Sequence, residues 1–129
     1  MLIKTNELTG AALNWAVATA LGWVLVERHG WWGWWTRKAN GEKRYCQTQV
    51  SSWNPTSDLA EGTSILFKAG ISLLYQAGDG WDAYKLMTPG KKFRDLSPLV
   101  AGLRCFVAAE LGDEVDIPVE FLGDKPRLR

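Results

Sequence analysis

The chain has 129 residues, 47% of them hydrophobic and 22% charged, and a formal net charge of +1 at pH 7. This length and composition fit one globular domain with its own hydrophobic core and exclude wholesale disorder. A net charge this close to zero gives no global field that would attract nucleic acid or a membrane, so we expect no strong general nucleic-acid binding.

The first predicted element is a helix that begins at Thr9 or at the preceding Thr5-Asn6 and runs to about Leu21. Gly22 provides its stop. Apolar side chains lie on nearly every side, which indicates burial against more than one neighbour. The uncharged stretch 8–26 is rich in alanine, whereas a membrane span needs about 20 strongly apolar residues. We therefore predict a buried helix followed by a strand, and no membrane association.

An aromatic β-hairpin is predicted next. Residues 23–27 have the β-branched and aromatic composition of a strand, and an indole cluster follows at residues 31–35. Asn40-Gly41 is a strong hairpin signal, because both residues tolerate the positive φ that a type I′ turn requires. We therefore expect residues 34–38 and 42–50 to pair as antiparallel strands.

A central polar stretch, residues 53–64, joins this aromatic half to the second half. The patterns that follow predict a helix over 64–69 stopped by Gly70, strands over 71–75 and 81–87, a turn at 78–80 and a basic loop over 88–95. Ser97-Pro98 predicts the clearest helix, because serine is a good cap and proline suits the first helical position. We expect that helix to end near Gly112, and its predicted core stripe is Leu99, Leu103, Phe106 and Val107.

This order of elements predicts an α+β fold. We expect an antiparallel sheet with a Trp-rich β-hairpin, covered by an N-terminal helix, a short central helix and a C-terminal helix. Residues 113–122 are expected to be extended and acidic. The domain is predicted to cover residues 1–123, followed by a loose tail over 124–129.

Residues typical of catalysis or metal binding are scarce. His29, the single histidine, has no acid or nucleophile at motif spacing, so we expect a solvated loop residue. The Gly78-x-Gly80 turn lacks the third glycine and the following helix of a phosphate-binding loop. The acidic run near Asp113 has no glycine-centred calcium loop. Cys46 and Cys105 lack metal spacing, which favours reduced, buried thiols. We expect no catalytic residue, metal or cofactor.

Tryptophan occurs 8 times in the chain, and two interpretations of the indole cluster stay open. The cluster consists of Trp31, Trp32, Trp34 and Trp35. In the first interpretation, two of these side chains alternate inward and two cover an oligomer interface. In the second, they form a stacking platform for a base, since every nucleobase has a π-face. A basic run over 85–94, an acidic run over 110–120 and surplus indoles also suggest self-association, most simply a two-fold dimer.

The central stretch has two interpretations as well. Asn54, Ser57 and Asp58 provide ordinary turn and cap chemistry, with Ser57 or Asp58 capping a one-turn helix. Alternatively, the exposed amides of this turn face a ligand phosphate or sugar. Arg104, expected on the exposed side of the last helix, is either a surface charge or the counter-ion of that anion.

Three segments resemble the phage NinX proteins and their uncharacterised relatives. They are NELTGAALNWAVA at residues 6–18, WNPTSDLAEG at 53–62, and SPLVAGLRCFVA at 97–108, which LGDEV follows at 111–115. The resemblance implies a small bacteriophage accessory protein and carries no established activity. The chain departs from the family pattern at Leu59, where an aromatic residue is common, and in the four-tryptophan segment between Gly30 and Thr36.

The phage context suggests counter-defence in the cytoplasm of an infected bacterial host, which is an inference by analogy. One hypothesis is a non-enzymatic protein that sequesters a small nucleotide-type immune signal. Its predicted ligand-binding residues are Trp53, Asn54, Ser57, Asp58, Trp81 and Arg104, assisted by the indole cluster. The alternative is a module that inhibits a host defence protein or nuclease by direct contact. An enzyme acting on nucleotides or peptides is the least favoured, because no acid–base pair is visible.

Overall fold

The computed structural model describes residues 1–37, 43–85 and 91–128. In these ranges the strands are β1 (Leu2–Lys4), β2 (Val24–Arg28), β3 (Trp31–Arg37), β4 (Lys43–Gln49), β5 (Ile71–Gln76), β6 (Gly80–Lys85), β7 (Phe93–Asp95) and β8 (Glu114–Asp116). The α-helices there are α1 (Gly10–Ala20), α2 (Leu59–Ala69) and α3 (Pro98–Leu111), and 3₁₀ turns occupy Thr5–Glu7, Val50–Ser52 and Val119–Phe121. This mixture confirms the predicted α+β class.

Within the described ranges the strands form three small sheets rather than one continuous sheet. Their orders are β1-β8, β2-β3-β4 and β5-β6-β7, and every pairing is antiparallel, as predicted. Helix α3 contacts α1, α2 and all strands of the β5-β6-β7 sheet. It is therefore the central element around which the other layers pack.

Helix α3 confirms the prediction made from its caps. Ser97 Oγ accepts a hydrogen bond from the Val100 amide at 3.3 Å, and Pro98 takes the first helical position. The helix ends at Leu111, and Gly112 follows with a φ of 95°. The whole predicted core stripe is buried, and so are further residues on other sides of the helix: Ala101, Gly102, Cys105 and Ala108. The helix is thus buried on more sides than one stripe would indicate.

Helix α1 takes the later of its two predicted starts. It begins at Gly10, after Thr9, while Thr5–Glu7 forms a 3₁₀ turn. Its alanine-rich surface is buried and packs against α3, which small side chains permit. In the part of the chain that the structure describes, no helix is long and apolar enough to cross a membrane.

Helix α2 corrects the sequence prediction at its start. It begins at Leu59, not at residue 64, and Asp58 Oδ1 caps it by accepting from the Glu61 amide at 3.2 Å. Gly62 and Thr63 have poor helix propensity, which disguised the first turn, but both lie inside the helix. Gly70 ends it in the left-handed conformation, with a φ of 71°, as predicted.

The β2-β3-β4 sheet, called the aromatic sheet below, contains a turn that the sequence interpretation missed. His29 and Gly30 both have positive φ, 54° and 84°, and join β2 to β3 so that Arg28 pairs with Trp31. Positive φ at both central residues is what a type I′ turn requires. His29 is exposed there, as expected. Strands β3 and β4 pair antiparallel as predicted, while the Asn40-Gly41 turn lies outside the described residues.

The second half of the chain contains one further correction. The predicted loop over 88–95 includes strand β7, because the buried side chain of Phe93 follows the register of β6 and pairs with Ala83. Residues 86–90 of the predicted strand and loop lie outside the described residues.

The C-terminal segment lies along α1. The Ala11 amide donates to the Gly123 carbonyl at 3.2 Å, and the Arg127 amide donates to the Glu120 carbonyl at 2.6 Å. The side chain of Leu128 packs against the core.

Candidate functional site

The polar groups of the central stretch make turn and cap contacts. Asn54 Oδ1 accepts from Asn14 Nδ2 at 3.0 Å and from Thr56 Oγ1 at 2.7 Å. The Asn54 carbonyl accepts from the amides of Ser57 and Asp58 at 3.2 and 2.9 Å. The stretch is therefore a hydrogen-bonded turn that α1 holds through Asn14 and that leads directly into the cap of α2.

Arg104 is not on the exposed side of α3, so that expectation is wrong. Its side chain is 12% exposed, its Nε donates to the Leu8 carbonyl at 2.7 Å, and a terminal nitrogen donates to Asp95 Oδ1 at 3.3 Å. Asp95 Oδ2 also accepts from the Ser97 amide at 2.9 Å. Arg104 thus joins the chain before α1 to the start of α3.

Trp81 belongs to a different part of the molecule from the central stretch. It lies on β6, half-buried, with its ring centroid 5.2 Å from that of Tyr75. In the β6–β7 pairing Trp81 stands opposite Asp95, the partner of Arg104. Trp81 and Arg104 are therefore associated through Asp95, while the other predicted ligand-binding residues, Trp53, Asn54, Ser57 and Asp58, form a separate group.

The indole cluster divides between the two faces of the β2-β3-β4 sheet. Trp34 is 2% exposed and Trp32 packs against the core. Trp31, Trp32 and Trp35 are each half-buried. Strand alternation places Trp31 and Trp35 on the face opposite Trp32 and Trp34, although a register shift follows Trp34. The Arg28 guanidinium lies 5.2 Å from the centroid of Trp35. This division matches the interpretation in which two indoles point inward.

An aromatic array continues from Trp34 through the core. The Trp53 centroid lies 6.3 Å from that of Trp34 and 5.0 Å from that of Trp23. Phe121 lies 6.1 Å from Trp34 on the other side. Trp53 is only 8% exposed, so it supports Trp23 from behind and presents little of its own surface to a ligand.

Trp23 lines a cleft where the end of α1, one face of α2 and the end of α3 meet. Its volume is about 370 Å³, within the range of about 300–1,000 Å³ that is usual for small-molecule sites. The apolar lining consists of Leu21, Trp23, Ile65, Ala69 and Phe106. The polar lining consists of Glu61, Ser64, Lys68, Lys85 and Glu110. The cleft thus combines an indole wall with charged groups of both signs.

Helical spacing explains how α2 contributes to this cleft. Residues 61, 64, 65, 68 and 69 recur at intervals of three and four and therefore share one face of the helix. Trp53 also restrains the side chain of Glu61, because Glu61 Oε1 accepts a hydrogen bond from Trp53 Nε1 at 3.3 Å. Trp53 thus acts at this cleft by orienting the carboxylate of Glu61 and by packing against Trp23.

A second depression, of about 390 Å³, is less suited to an aromatic ligand. Its lining is mainly charged and polar: Lys4, Thr5, Asn6, Lys91, Lys92, Asp113 and Glu114, with Phe93. Lys91 already pairs with Asp113 at 3.0 Å across it. It has no indole in its described lining, so we regard the cleft at Trp23 as the candidate site.

Asp82 and Cys105, which do not line the cleft, have shifted pKa values. Arg94 donates two hydrogen bonds to Asp82, and these bonds keep the pKa of Asp82 below its ordinary value of 3.8. Burial raises the pKa of the Cys105 thiol to about 11, against a smaller opposing effect of Lys85. Asp82 is therefore a carboxylate and Cys105 a thiol at neutral pH, consistent with the expected reduced cysteine.

The chain matches a known protein family. A family model described as "Bacteriophage P22, NinX" matches residues 4–110 of the chain. The chain belongs to this family. The match confirms the resemblance inferred from the three sequence segments, and it includes the cleft as well as the aromatic sheet. No curated protein matches the chain.

The sequence interpretation of this NinX family protein missed the lysines of the cleft. The predicted helix over 64–69 contains Ser64 and Lys68 but not Glu61, so the face that these three residues share is not apparent from the sequence. Lys85 comes from a strand, and its approach to α2 depends on the tertiary fold. The spacing of charged residues around Ile65 is a usable signal once the helix is known to begin at Leu59.

The link between Asn14 and Asn54 can be tested by a double-mutant cycle. We expect Asn14→Ala and Asn54→Ala each to lower the free energy of unfolding by about 1 kcal/mol, the usual contribution of a partly exposed hydrogen bond. The double variant should lose less than the sum, because both changes break the same contact. Urea unfolding measures this. Ser57→Ala, the control, should change stability by less than about 0.5 kcal/mol. Strict additivity of the two asparagine variants would contradict the coupling.

Proposed function

We propose that this phage protein is a non-enzymatic binding protein that sequesters a small nucleotide-type ligand in the cleft at Trp23. In the cytoplasm of an infected bacterial host, such binding would remove an immune signal. The observation that carries the proposal is the indole wall facing a rim of two lysines and two carboxylates. A planar base attached to an anionic phosphate presents the complementary chemistry.

Each part of the cleft has a role in this proposal. The face of Trp23 stacks on the base, an interaction worth about 1–3 kcal/mol per base. Lys68 and Lys85 supply positive charge for the phosphate. Glu61, held by Trp53, accepts hydrogen bonds from amino or imino groups of the base. The ring of Trp53 packs against that of Trp23, with the centroids 5.0 Å apart, and so supports the indole wall.

Binding without turnover is favoured by the chemistry of the lining. The described lining contains no histidine or cysteine that would serve as a base or nucleophile. Its carboxylates, Glu61 and Glu110, share the cleft with two lysines, so the charged lining suits polar recognition of a ligand.

A thermal-shift experiment tests this proposal. Linear and cyclic nucleotides should raise the melting temperature and quench tryptophan fluorescence, because a ligand that binds only the folded state stabilises it. Lys68→Glu should abolish the shift, since it replaces an exposed cation of the rim with a repelling anion. Lys92→Glu, in the second depression, makes the same charge change and should leave the shift intact. No shift across a broad nucleotide panel would contradict the proposal.

The outer face of the aromatic sheet supports a second candidate function. Trp31 and Trp35 are half-buried on the side away from the core, and Arg28 stacks over Trp35. Tryptophan and arginine are enriched at binding hot spots. This face would inhibit a host defence protein or nuclease by direct contact. Trp31→Ala should then abolish capture of that protein, whereas Trp34→Ala is unsuitable as a test because Trp34 is in the core.

A further inference from the structure

Strand β5 differs from every other edge strand in the described part of the chain. Strands β1, β2, β4, β7 and β8 are the other edges, and each carries at least one lysine, arginine, aspartate or glutamate. Charges on an edge strand prevent another strand from pairing with it. The sequence of β5, Ile-Ser-Leu-Leu-Tyr-Gln, has no charge and no proline. Its outer row of backbone groups is therefore unprotected.

Exposed apolar side chains accompany this unprotected edge. Leu74 is 50% exposed and Tyr75 is 59% exposed, although both belong to a strand. Phe67, in the last turn of the preceding helix α2, is also largely exposed. Together they provide apolar surface on both faces of the edge, as a pairing surface requires.

We propose that β5 pairs antiparallel with β5 of a second copy of this chain, across a two-fold axis. The β5-β6-β7 sheets of the two copies would then form one continuous six-stranded sheet. A two-fold axis places the same strand beside itself in opposite direction, so the backbone donors and acceptors of one copy meet those of the other. An uncharged strand does this without like-charge repulsion.

Charges beyond the ends of β5 favour this antiparallel arrangement. Lys68 precedes the strand and Asp79 follows it, and both are exposed. The Asp79 carboxylate also lies 4.0 Å from Arg94 of its own chain. Antiparallel pairing brings the basic end of one copy next to the acidic end of the other, whereas parallel pairing would bring like charges together. The opposite edge, β7, is short and carries Arg94 and Asp95. Each copy thus has one unprotected edge in this sheet, and the assembly closes as a dimer.

The face pattern of β5 fixes the most favourable register. Residues directly opposite in an antiparallel pair lie on the same face. An axis through Leu74 places this side chain against Leu74 of the second copy, and Leu73 against Tyr75 of the second copy. The axis therefore buries the exposed Leu74 and Tyr75 in cross-strand contacts.

The basic run over 85–94 and the acidic run over 110–120 are not needed for this dimer. Lys91 of the basic run pairs with Asp113 of the acidic run within one chain, at 3.0 Å. Arg94 likewise pairs with Asp82 within its own sheet. The edge of β5 therefore replaces those runs as the basis for self-association.

Charge substitutions at Leu74 test this assignment by sedimentation equilibrium. The unmodified chain should dimerise, and Leu74→Lys and Leu74→Glu should each raise the dimer dissociation constant at least about tenfold, because like charges would meet at the axis. An equimolar mixture of the two variants should recover dimerisation as a heterodimer. Tyr84→Lys adds the same charge to the same face of the central strand β6 and should leave the dissociation constant nearly unchanged.

Several outcomes would overturn the proposal. An unmodified chain that stays monomeric over about a hundredfold range of micromolar concentrations would do so. So would a dimer that is insensitive to both Leu74 variants while their melting curves remain cooperative. Failure of the mixed variants to associate would show that the two copies of Leu74 do not meet, and an edge occupied by a peptide of another protein would be the remaining explanation.

Discussion

Arg104→Met should lower the free energy of unfolding by about 2–4 kcal/mol, the effect expected when one partner of a largely buried ion pair is removed. The Arg104 side chain is 12% exposed and that of Asp95 is 32% exposed, so solvent reduces the loss only partly. The Leu8 carbonyl also loses its donor, at 2.7 Å, and an unsatisfied buried acceptor adds a desolvation cost. Chemical denaturation measures the difference.

Two further variants sharpen the test of Arg104. Arg104→Lys should recover only part of the stability, because an ammonium group lacks the planar geometry that serves two acceptors at once. Arg127→Met removes an exposed arginine and should change stability by less than about 0.5 kcal/mol. Equal effects of Arg104→Met and Arg127→Met would contradict the assigned role of Arg104.

The second large effect on stability is expected at two glycines, Gly62 and Gly102, where α2 and α3 cross. A Cβ atom on Gly62 would lie 2.6 Å from the Pro55 carbonyl oxygen and 2.7 Å from a methyl group of Leu99. A Cβ atom on Gly102 would lie 2.5 Å from a methyl group of Leu66. The helices therefore approach more closely than any other residue permits, and the central stretch packs onto α2 through Pro55.

Replacing either glycine with alanine should destabilise the protein, although alanine has a higher helix propensity than glycine. Helix propensity alone would make each Gly→Ala change stabilising by about 1 kcal/mol. Overpacking should outweigh this, so that Gly102→Ala lowers stability by about 1–2 kcal/mol and Gly62→Ala by about 2–3 kcal/mol. Gly62 has the larger effect because a backbone oxygen cannot move aside as the Leu66 side chain can.

A glycine introduced elsewhere in α2 provides the control. Ala60 is exposed, so Ala60→Gly should cost only about 1 kcal/mol through helix propensity. Thermal or urea unfolding of the three variants compares them directly. An increase in stability for Gly62→Ala would contradict the close crossing.

Local signals in the sequence predicted local structure well. Ser97-Pro98 and Gly112 determined both ends of α3, and Gly70 determined the end of α2, because each acts within one turn of chain. The start of α2 was missed because Gly62 resembles a break until its close contact with Leu99 is known. That contact depends on tertiary packing, so propensity alone could not reveal it.

The candidate site was harder to predict for the same reason. Trp23, Lys68 and Lys85 come from three separate segments of the chain and meet only in the folded protein. Arg104 was misplaced because α3 is surrounded on nearly all sides, whereas a single apolar stripe suggested one open face. Trp53 was predicted to bind the ligand itself, whereas the structure places it behind the cleft wall, in contact with Trp23 and Glu61.

The most direct test of binding at the cleft is a nitrogen-15 NMR titration of the indole N–H signals with linear and cyclic nucleotides. Single Trp→Phe variants assign the signals. Binding at the cleft predicts that the signals of Trp23 and Trp53 shift together as nucleotide is added, because Trp23 stacks on the base and Trp53 packs against it and bonds Glu61. The signals of Trp31 and Trp35 should stay in place. Shifts confined to Trp31 and Trp35, or no shift with any nucleotide, would contradict the account.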